Sequence, residues 1–203
     1  MKEVKITEKQ FKDRDMSKLI KGAVVPRPIA WVSSANQNGV ANLAPFSFFT
    51  VASMDPITFC FSISATATEK EKDTLVNIRA TGEFVINVVT GPLAKHMHET
   101  GKTYDAEINE FEQAGLKMKT GDYVAVPRVA DSPVQMECRL EQVIKVGTSH
   151  LVLGRLVCYH IADEVYMETD KVDPVKLRPV GRMAGDYTIP ETFFSLPNDE
   201  VGK

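Results

Sequence analysis

The sequence has few cysteines, and their spacing excludes a disulfide framework. Only three occur, Cys60, Cys138 and Cys158, and each lies within an apolar stretch. An odd and widely spaced set does not form the closely paired pattern of small secreted scaffolds. We therefore interpret all three as buried free thiols of a protein in the reducing cytoplasm.

Long hydrophobic runs and a large excess of one charge are also lacking. No apolar stretch approaches the roughly 20 residues of a membrane-spanning helix, and residues 1–10 contain no signal-peptide core. The formal net charge is −3, which gives no electrostatic reason to expect nucleic acid or an anionic membrane as a partner. We expect a cytoplasmic protein that binds neither.

No linker, repeat or low-complexity tract divides the chain. Its 203 residues are 43% hydrophobic, which suits one ordinary globular domain with a full core. We therefore expect residues 1–203 to form a single domain.

Several familiar signatures of catalysis are missing. Residues 101–103 (Gly-Lys-Thr) look like the end of a P-loop, but His96 stands where the first glycine of that motif is required. Neither GxGxxG nor GxSxG occurs. On a helix, His96 and His98 would point about 200° apart and could not share a metal. We expect no P-loop, no Rossmann dinucleotide site and no metal site.

What the sequence does contain is a series of short β-strands separated by Gly, Pro, Asn and Asp. Residues 134–141 alternate apolar and polar side chains, which indicates a half-buried antiparallel strand. Residues 36–39 (Asn-Gln-Asn-Gly) favour a tight hairpin, because Asn and Gly tolerate positive φ. The other predicted strands are 29–34, 40–44, 57–63, 83–89 and 151–161.

Helices are few and short. We predict a helix at 73–80, with Asp73 as its N-cap and Gly82 just beyond its end. Short helices are also predicted at 92–98 and 109–114, with a helical turn at 16–20. Long paired strands with polar outer faces favour an antiparallel barrel over a parallel α/β sheet. The predicted fold is therefore mainly β, a barrel with a few peripheral helices.

The stretch 42–49 (Asn-Leu-Ala-Pro-Phe-Ser-Phe-Phe) mixes small polar groups with aromatic rings at a strand end. Pro45 interrupts ladder hydrogen bonding, so it belongs at a sheet edge or bulge, where neighbouring backbone groups are free for a ligand. A flat ring with a polar rim, such as isoalloxazine, needs this combination. The alternative is an ordinary barrel strand with aromatic core residues.

The stretch 62–74 carries alternating hydroxyls followed by a lysine and a helix start. Ser62, Ser64, Thr66 and Thr68 would share one strand face. A helix N-terminus beside Lys72 favours phosphate, because amide donors and the helix dipole both attract anions. The alternative is an exposed strand end followed by a capped helix.

Six blocks of sequence in this order closely resemble the flavin reductase-like, FMN-binding split-barrel family, in its flavoredoxin-type branch. The resemblance spans about residues 16–190. The blocks are 25–33 (VPRPIAWVS), 42–49, 72–78 (KDTLVNI), 81–87 (TGEFVIN), 150–154 (HLVLG) and 181–187 (GRMAGDY).

The resemblance implies a six-stranded antiparallel Greek-key split barrel, a homodimer, and FMN bound near the dimer interface. It implies that the ring and ribityl chain lie by residues 42–47, that the phosphate lies by Ser62, Ser64 and residues 72–74, and that His150 lies near the flavin or the nicotinamide. Ala184 and the loop 65–72 depart from the family pattern. The cofactor-binding candidates are Asn42, Ala44, Pro45, Phe46, Ser47, Ser62, Ser64, Lys72, Asp73 and Thr74, and His150 is the catalytic candidate.

Two further residues have open interpretations. Trp31 is a core or dimer-interface aromatic, or else stacks on the flavin. Arg27, held extended between two prolines, pairs with a carboxylate across the dimer or meets the phosphate.

The resemblance favours an enzyme in which NADH or NADPH reduces bound FMN, which then passes electrons to a small-molecule or protein acceptor. In such an enzyme the hydride chemistry belongs to the cofactors. Two alternatives stay open: an FMN-carrying electron-transfer protein, and a non-catalytic flavin-binding module.

Overall fold

A large antiparallel sheet dominates the fold. We describe residues 16–65, 70–168 and 170–195 from a computed structural model of the chain. The strands in these residues are β1 Arg27–Pro28, β2 Ala30–Ala35, β3 Ala41–Phe46, β4 Phe49–Met54, β5 Ile57–Ser64, β6 Glu83–Val88, β7 Met118–Lys119, β8 Arg128–Val129, β9 Val134–Val146, β10 Ser149–Ile161, β11 Tyr166–Met167, β12 Lys171–Val172, β13 Gly181–Arg182 and β14 Tyr187–Thr188.

Seven of these strands form the main sheet, in the hydrogen-bonded order β3-β2-β6-β9-β10-β5-β4. Each neighbouring pair is antiparallel. The sheet curls until β3 comes into contact with β5. The mainly β, antiparallel prediction is confirmed. The sheet has seven strands where six were expected. Strands β3 and β4 are separated by only two residues but are counted as two strands.

Apolar side chains fill the interior of this curled sheet. Phe59, Phe61 and Ile63 of β5 join the interior cluster, and the residues between them do not. The rings of Phe46 and Phe84 pack on Phe61, with centroid separations of 5.4 and 5.5 Å. The period-two pattern that predicted the strands therefore also sorts these side chains between the two faces.

Strand β2 is buried on both faces. Ala30 and Val32 face the interior cluster, whereas Trp31 packs in a second cluster outside the sheet with Leu43 and Phe111. Trp31 is fully buried, and its indole N–H donates to the Thr100 hydroxyl at 2.9 Å. The prediction that Trp31 could lie at a dimer interface is wrong, because this chain alone covers the ring.

Short helices decorate the barrel. The prediction of Asp73 as an N-cap is wrong: Lys72 occupies that position without a side-chain cap, and Asp73 begins the helix. Gly82 does end that helix, with a φ of 73°. No helix in the described ranges is long and apolar enough to cross a membrane. The helices are α1 Met16–Ala23, α2 Asp73–Thr81, α3 Ala94–Glu99 after a 3-10 turn at Gly91–Leu93, α4 Glu110–Gln113 and α5 Pro174–Leu177.

One glycine makes room for a ring inside the barrel. Gly154 is buried on β10, where its pairing with β9 shifts register between Leu153 and Gly154. A β-carbon on Gly154 would overlap the ring of Phe84. The absence of a side chain at Gly154 therefore lets the ring of Phe84 on β6 fill the interior.

A fully buried carboxylate, Glu137 of β9, holds the loop that precedes β8. Its oxygens accept the backbone N–H groups of residues 122–124 at 2.7–2.9 Å, and His160 Nε2 lies 2.6 Å from one of them. Arg128 Nε lies 3.7 Å away. The ligating atoms of Glu137, Cys158 and His160 lie within 4.8 Å of one another. Because both carboxylate oxygens already accept hydrogen bonds, we interpret Glu137, Arg128 and His160, the Glu137 cluster, as structural.

All three cysteines are free thiols, as predicted. Cys138 is fully buried, whereas Cys60 and Cys158 are only half-buried. Burial raises the pKa of each thiol, which keeps all three protonated and poorly nucleophilic at neutral pH.

Candidate functional site

A cavity of about 180 Å³ lies between β3 and the N-terminus of α2. It brings six of the predicted cofactor residues together from two separate stretches of sequence. Segment 100–104, just after α3, forms its opposite wall. The predicted residues that line it are Asn42, Ala44, Pro45, Lys72, Asp73 and Thr74.

A second cavity, of about 310 Å³, continues from the first past Pro45. Pro45, Gly101 and Lys102 line both, so the two cavities form one extended depression, which we call the cleft. Ser47, another predicted residue, lies in the second cavity. The remaining lining of the second cavity is Ile29, Met97, His98, Arg182 and Tyr187.

Three predicted cofactor residues do not line the cleft. Phe46 is buried in the interior cluster beneath it, with the Lys72 ammonium 5.4 Å from its ring centre. Ser62 and Ser64 alternate with the inward-facing residues of β5, which places them on its other face, and the Ser64 hydroxyl contacts that of Ser149 at 3.2 Å. Thr66 and Thr68 lie outside the described residues.

A hydrogen-bonded network forms the floor of the first cavity. The Asn42 amide donates to Glu110 Oε1 at 2.6 Å, and the Asn42 Oδ1 accepts from the hydroxyls of Thr74 at 2.8 Å and Ser34 at 3.1 Å. Glu110 Oε2 accepts the backbone N–H of Leu43 at 3.1 Å. We call Asn42, Thr74 and Glu110 the cleft network. Asn42 and Thr74 therefore shape the floor through contacts to each other, a role that sequence reasoning did not assign.

Glu110 is a functional candidate that sequence reasoning missed. It is 8% exposed and begins α4, where the Asn109 side chain caps the helix by accepting the N–H of Phe111. Burial raises the pKa of Glu110 above its ordinary range, and the hydrogen bonds from Leu43 and Asn42 do not offset that effect. The sequence around 109–114 predicted a helix, but no local pattern indicated that Glu110 would contact Asn42.

The end of the first cavity near α2 suits an anion. The first N–H groups of a helix have no partner within the helix, and Asp73 and Thr74, the first two residues of α2, both line the cavity. Lys72 is exposed beside them, although partial desolvation lowers its pKa. Backbone amides and an adjacent ammonium are the donor set of a phosphate site.

Arg27 has a structural position at the start of β1, where it joins several segments of the chain. Its guanidinium donates to the backbone carbonyls of Lys21 at 2.8 Å, Val24 at 2.7 Å and Met183 at 2.9 Å. These contacts fasten the end of α1 to the hairpin β13–β14. Its Nε also lies 3.5 Å from the Ser47 hydroxyl, so Arg27 makes four hydrogen bonds within the chain. A contact of Arg27 with a phosphate or a partner's carboxylate stays a prediction.

His150 lies one residue behind the cleft wall. Its Nε2 is 3.7 Å from Glu71 Oε1, and Glu71 lines the first cavity. The other two histidines near the cleft have separate partners: His96 Nδ1 contacts the Ala114 carbonyl at 2.7 Å, and His98 Nδ1 contacts the Tyr187 hydroxyl at 3.1 Å. A role for His150 in flavin reduction stays a prediction.

Residues 22–175 match the model of the flavin reductase like domain. The chain belongs to this family. A protein of Aquifex aeolicus is 38% identical over 85% of this chain and 88% of its own length. Nitrilotriacetate monooxygenase component B from Bacillus cereus is 30% identical, with a TM-score of 0.91 over 97% of this chain and 100% of that one. The 2-nitrobenzoate 2-nitroreductase of Pseudomonas fluorescens is also 30% identical, with a TM-score of 0.82 over 98% and 100%.

The structural likeness extends to flavoredoxin of Desulfovibrio vulgaris, with a TM-score of 0.77 at 17% identity over 87% of this chain and 93% of that one. At this identity the likeness concerns the fold alone. The predicted family and its split-barrel fold are confirmed, and the chain has the fold of a flavin-related oxidoreductase. The cleft residues fit a flavin, since Lys72 and the first residues of α2 lie at one end and Pro45 and Gly101 line both cavities.

Proposed function

We propose that the protein binds FMN in the cleft and that NADH or NADPH reduces it, after which the electrons pass to a small-molecule or protein acceptor. The observation that carries this proposal is the continuity of the cleft. The first cavity, lined by Lys72 and the first residues of α2, joins the second cavity past Pro45, and in this proposal the second cavity receives the reactant that exchanges electrons with the flavin.

The protein's part in this reaction is positioning. Lys72 and the first amides of α2 hold the phosphate, and Pro45 with Gly101 bounds the ring. The cleft network fixes the floor under both. When bound, FMN supplies the hydride-accepting chemistry, and the residues of the cleft hold two flat rings at reacting distance.

We propose that His150 supports reduction from behind the wall. With Nε2 at 3.7 Å from the Glu71 carboxylate, the imidazole orients Glu71 or donates a hydrogen bond toward the flavin. A histidine at such a position can stabilise negative charge on a reduced ring. Replacing His150 with Ala should leave FMN bound and slow its reduction on the order of tenfold in stopped-flow measurements. An unchanged rate would assign His150 to structure alone.

We also propose that the protein works as a homodimer, because apolar surface is left open. Leu19 and Ile20 of α1 are 54% and 56% exposed, and Val51 and Met54 of the edge strand β4 are 50% and 73% exposed. An edge strand that carries apolar side chains favours pairing with a second copy. Light scattering should give twice the 22.5 kDa of one chain, and a monomer with FMN bound would refute the dimer.

The decisive experiment is the visible spectrum of the purified protein, before and after NADH or NADPH is added without oxygen. Yellow colour that the nicotinamide bleaches supports the proposed enzyme. Yellow colour bleached only by dithionite would make the protein an electron carrier instead. A colourless protein that does not take up added FMN would overturn the flavin proposal altogether.

The phosphate end has its own test. Charge-assisted contacts to phosphate are stronger than neutral ones, so FMN should bind more tightly than riboflavin, and Lys72→Ala should shrink that difference. Lys171→Ala, a surface lysine of β12, is the control and should leave it intact. Equal affinities for FMN and riboflavin in the unmodified protein would contradict this placement.

A further inference from the structure

The second cavity has an aromatic and cationic wall that FMN binding at α2 does not explain. The Arg182 guanidinium lies over the ring of Tyr187, 4.4 Å from its centre. The Tyr187 hydroxyl is held by His98 Nδ1 at 3.1 Å, and the two rings meet edge to face at 6.1 Å. Residues 182 and 187 face each other across the hairpin β13–β14. Arg182, Tyr187 and His98 therefore form one supported unit, which we call the arginine wall.

The charge at this wall is unbalanced. No Asp or Glu lines the second cavity. Its other cation, Lys102, is neutralised by Glu99 at 2.7 Å, whereas no carboxylate of the described residues lies within 4.0 Å of Arg182. Arg27 is buried behind it, and burial followed by the charge of Arg182 lowers the pKa of Arg27. The positive charges of Arg182 and the nearby Arg27, with no carboxylate lining the second cavity, favour the binding of an anion there.

We propose that the second cavity binds an oxyanion of the reactant that exchanges electrons with the flavin, and that Arg182, stacked on Tyr187, recognises its charge. The stacking leaves the edge of the planar guanidinium free for paired hydrogen bonds to phosphate or carboxylate oxygens. This inference rests on the proposed function, because the cavity adjoins the flavin only if FMN lies in the cleft. The oxyanion is either the phosphate of the nicotinamide nucleotide or the carboxylate of an organic acceptor.

The test compares Arg182→Gln with Arg155→Gln, a control on the exposed side of β10. Inorganic pyrophosphate and benzoate are titrated calorimetrically into each FMN-saturated protein, so that the site at α2 is already filled. We expect Arg182→Gln to weaken at least one of the two by tenfold or more, as the loss of a charged hydrogen bond implies. The control should bind both like the unmodified protein, and Arg182→Lys should restore only part of the affinity.

Kinetics then separate the two sources of the oxyanion. If the nucleotide uses Arg182, the variant raises the KM for NADH or NADPH with little change in kcat. If an acceptor uses it, the variant raises the KM for 2-nitrobenzoate and not for uncharged nitrobenzene.

Equal binding of both anions by the unmodified protein and Arg182→Gln would overturn the proposal. Failure of NADH and NADPH to bleach FMN would overturn the proposed function. The calorimetric comparison would still decide whether Arg182 binds an oxyanion in the second cavity. If FMN itself does not bind, benzoate titrated into the flavin-free proteins gives the same comparison.

Discussion

Two buried glutamates in this barrel have opposite electrostatics. Glu137 is fully buried and Glu110 is 8% exposed, and burial by itself would raise the pKa of both carboxyls. For Glu137, the N–H groups of residues 122–124 and the His160 ring outweigh burial and lower the pKa. For Glu110, the donors from Leu43 and Asn42 are too few, and the pKa is raised.

The opposite pKa shifts reflect the different surroundings of the two carboxylates. Glu137 lines neither cavity of the cleft and accepts three backbone N–H groups of one loop, so its ionised form stabilises the fold. Glu110 sits beneath a cavity and is left under-solvated in its charged form. Carboxyls with raised pKa values concentrate at functional sites, and Glu110 fits that tendency while Glu137 does not.

The largest effect that would test this contrast is expected from Glu137→Gln. Removing the charge weakens four hydrogen bonds at once and leaves Arg128 without its buried partner. Loss of one member of such a buried network costs about 3 kcal/mol of unfolding free energy. Urea denaturation at pH 7 would measure it, with Glu141→Gln, an exposed residue on the same strand, as the control. A loss no greater than that of the control would show that the Glu137 cluster does not hold the loop.

The pH dependence of that variant sharpens the comparison. A lowered folded-state pKa means that the contribution of Glu137 is fully present above its ordinary value of 4.5 and is lost as pH falls through the folded value. The unmodified protein should therefore lose more stability than Glu137→Gln between pH 5 and the acid transition. Parallel stability curves for the two proteins would contradict the lowered pKa.

An intermediate effect is expected from Asn42→Ala, in the cleft network. This change removes the contacts to Glu110, Thr74 and Ser34, at a total net cost of roughly 2 kcal/mol of unfolding free energy. Stability and FMN affinity should fall together, because the floor of the cleft is disturbed. Fluorescence titration with FMN measures the second effect. Glu137→Gln, assayed where it is folded, should bind FMN normally. Unchanged FMN affinity in Asn42→Ala would remove the cleft network from the site.

The smallest effect is expected from Glu110→Gln, and its dependence on pH has the opposite sign to that of Glu137→Gln. A raised folded-state pKa means that the contribution of Glu110 is fully present below 4.5 and is lost as pH rises through the folded value. The free energy of unfolding of the variant minus that of the unmodified protein should therefore increase from pH 4 to pH 8. Chemical denaturation across this range would measure it, and a difference that stays flat or falls would contradict the raised pKa.

Local patterns were enough to predict much of the barrel. The hairpin between β2 and β3 follows from Asn36 and Gly39: the Asn36 side chain accepts the N–H groups of the turn, and Gly39 has a φ of 82°. The long strands β9 and β10 followed from alternation. The pairing of residues 42–47 with 72–74 in one cleft came from family resemblance, since no local pattern joins segments so far apart.

Long-range contacts explain what was missed. Glu110 reaches Asn42 across 68 residues, and Tyr187 reaches His98 across 89 residues. Alternation placed Ser62 and Ser64 on one strand face and the family resemblance assigned them to the phosphate, but alternation cannot say which face of β5 is turned to the cleft. Arg27 was a ligand candidate because it is held extended between two prolines, whereas its partners in the structure are three carbonyl groups and the Ser47 hydroxyl.

The glycine on β10 has a consequence for how this fold can vary over evolutionary time. Because the ring of Phe84 occupies the space that a β-carbon of Gly154 would need, the two positions cannot drift separately. A lineage that acquires a side chain at position 154 must first accept a smaller residue at position 84. In an alignment of this family, we therefore expect positions 84 and 154 to covary as a size-compensating pair, although 70 residues of chain separate them.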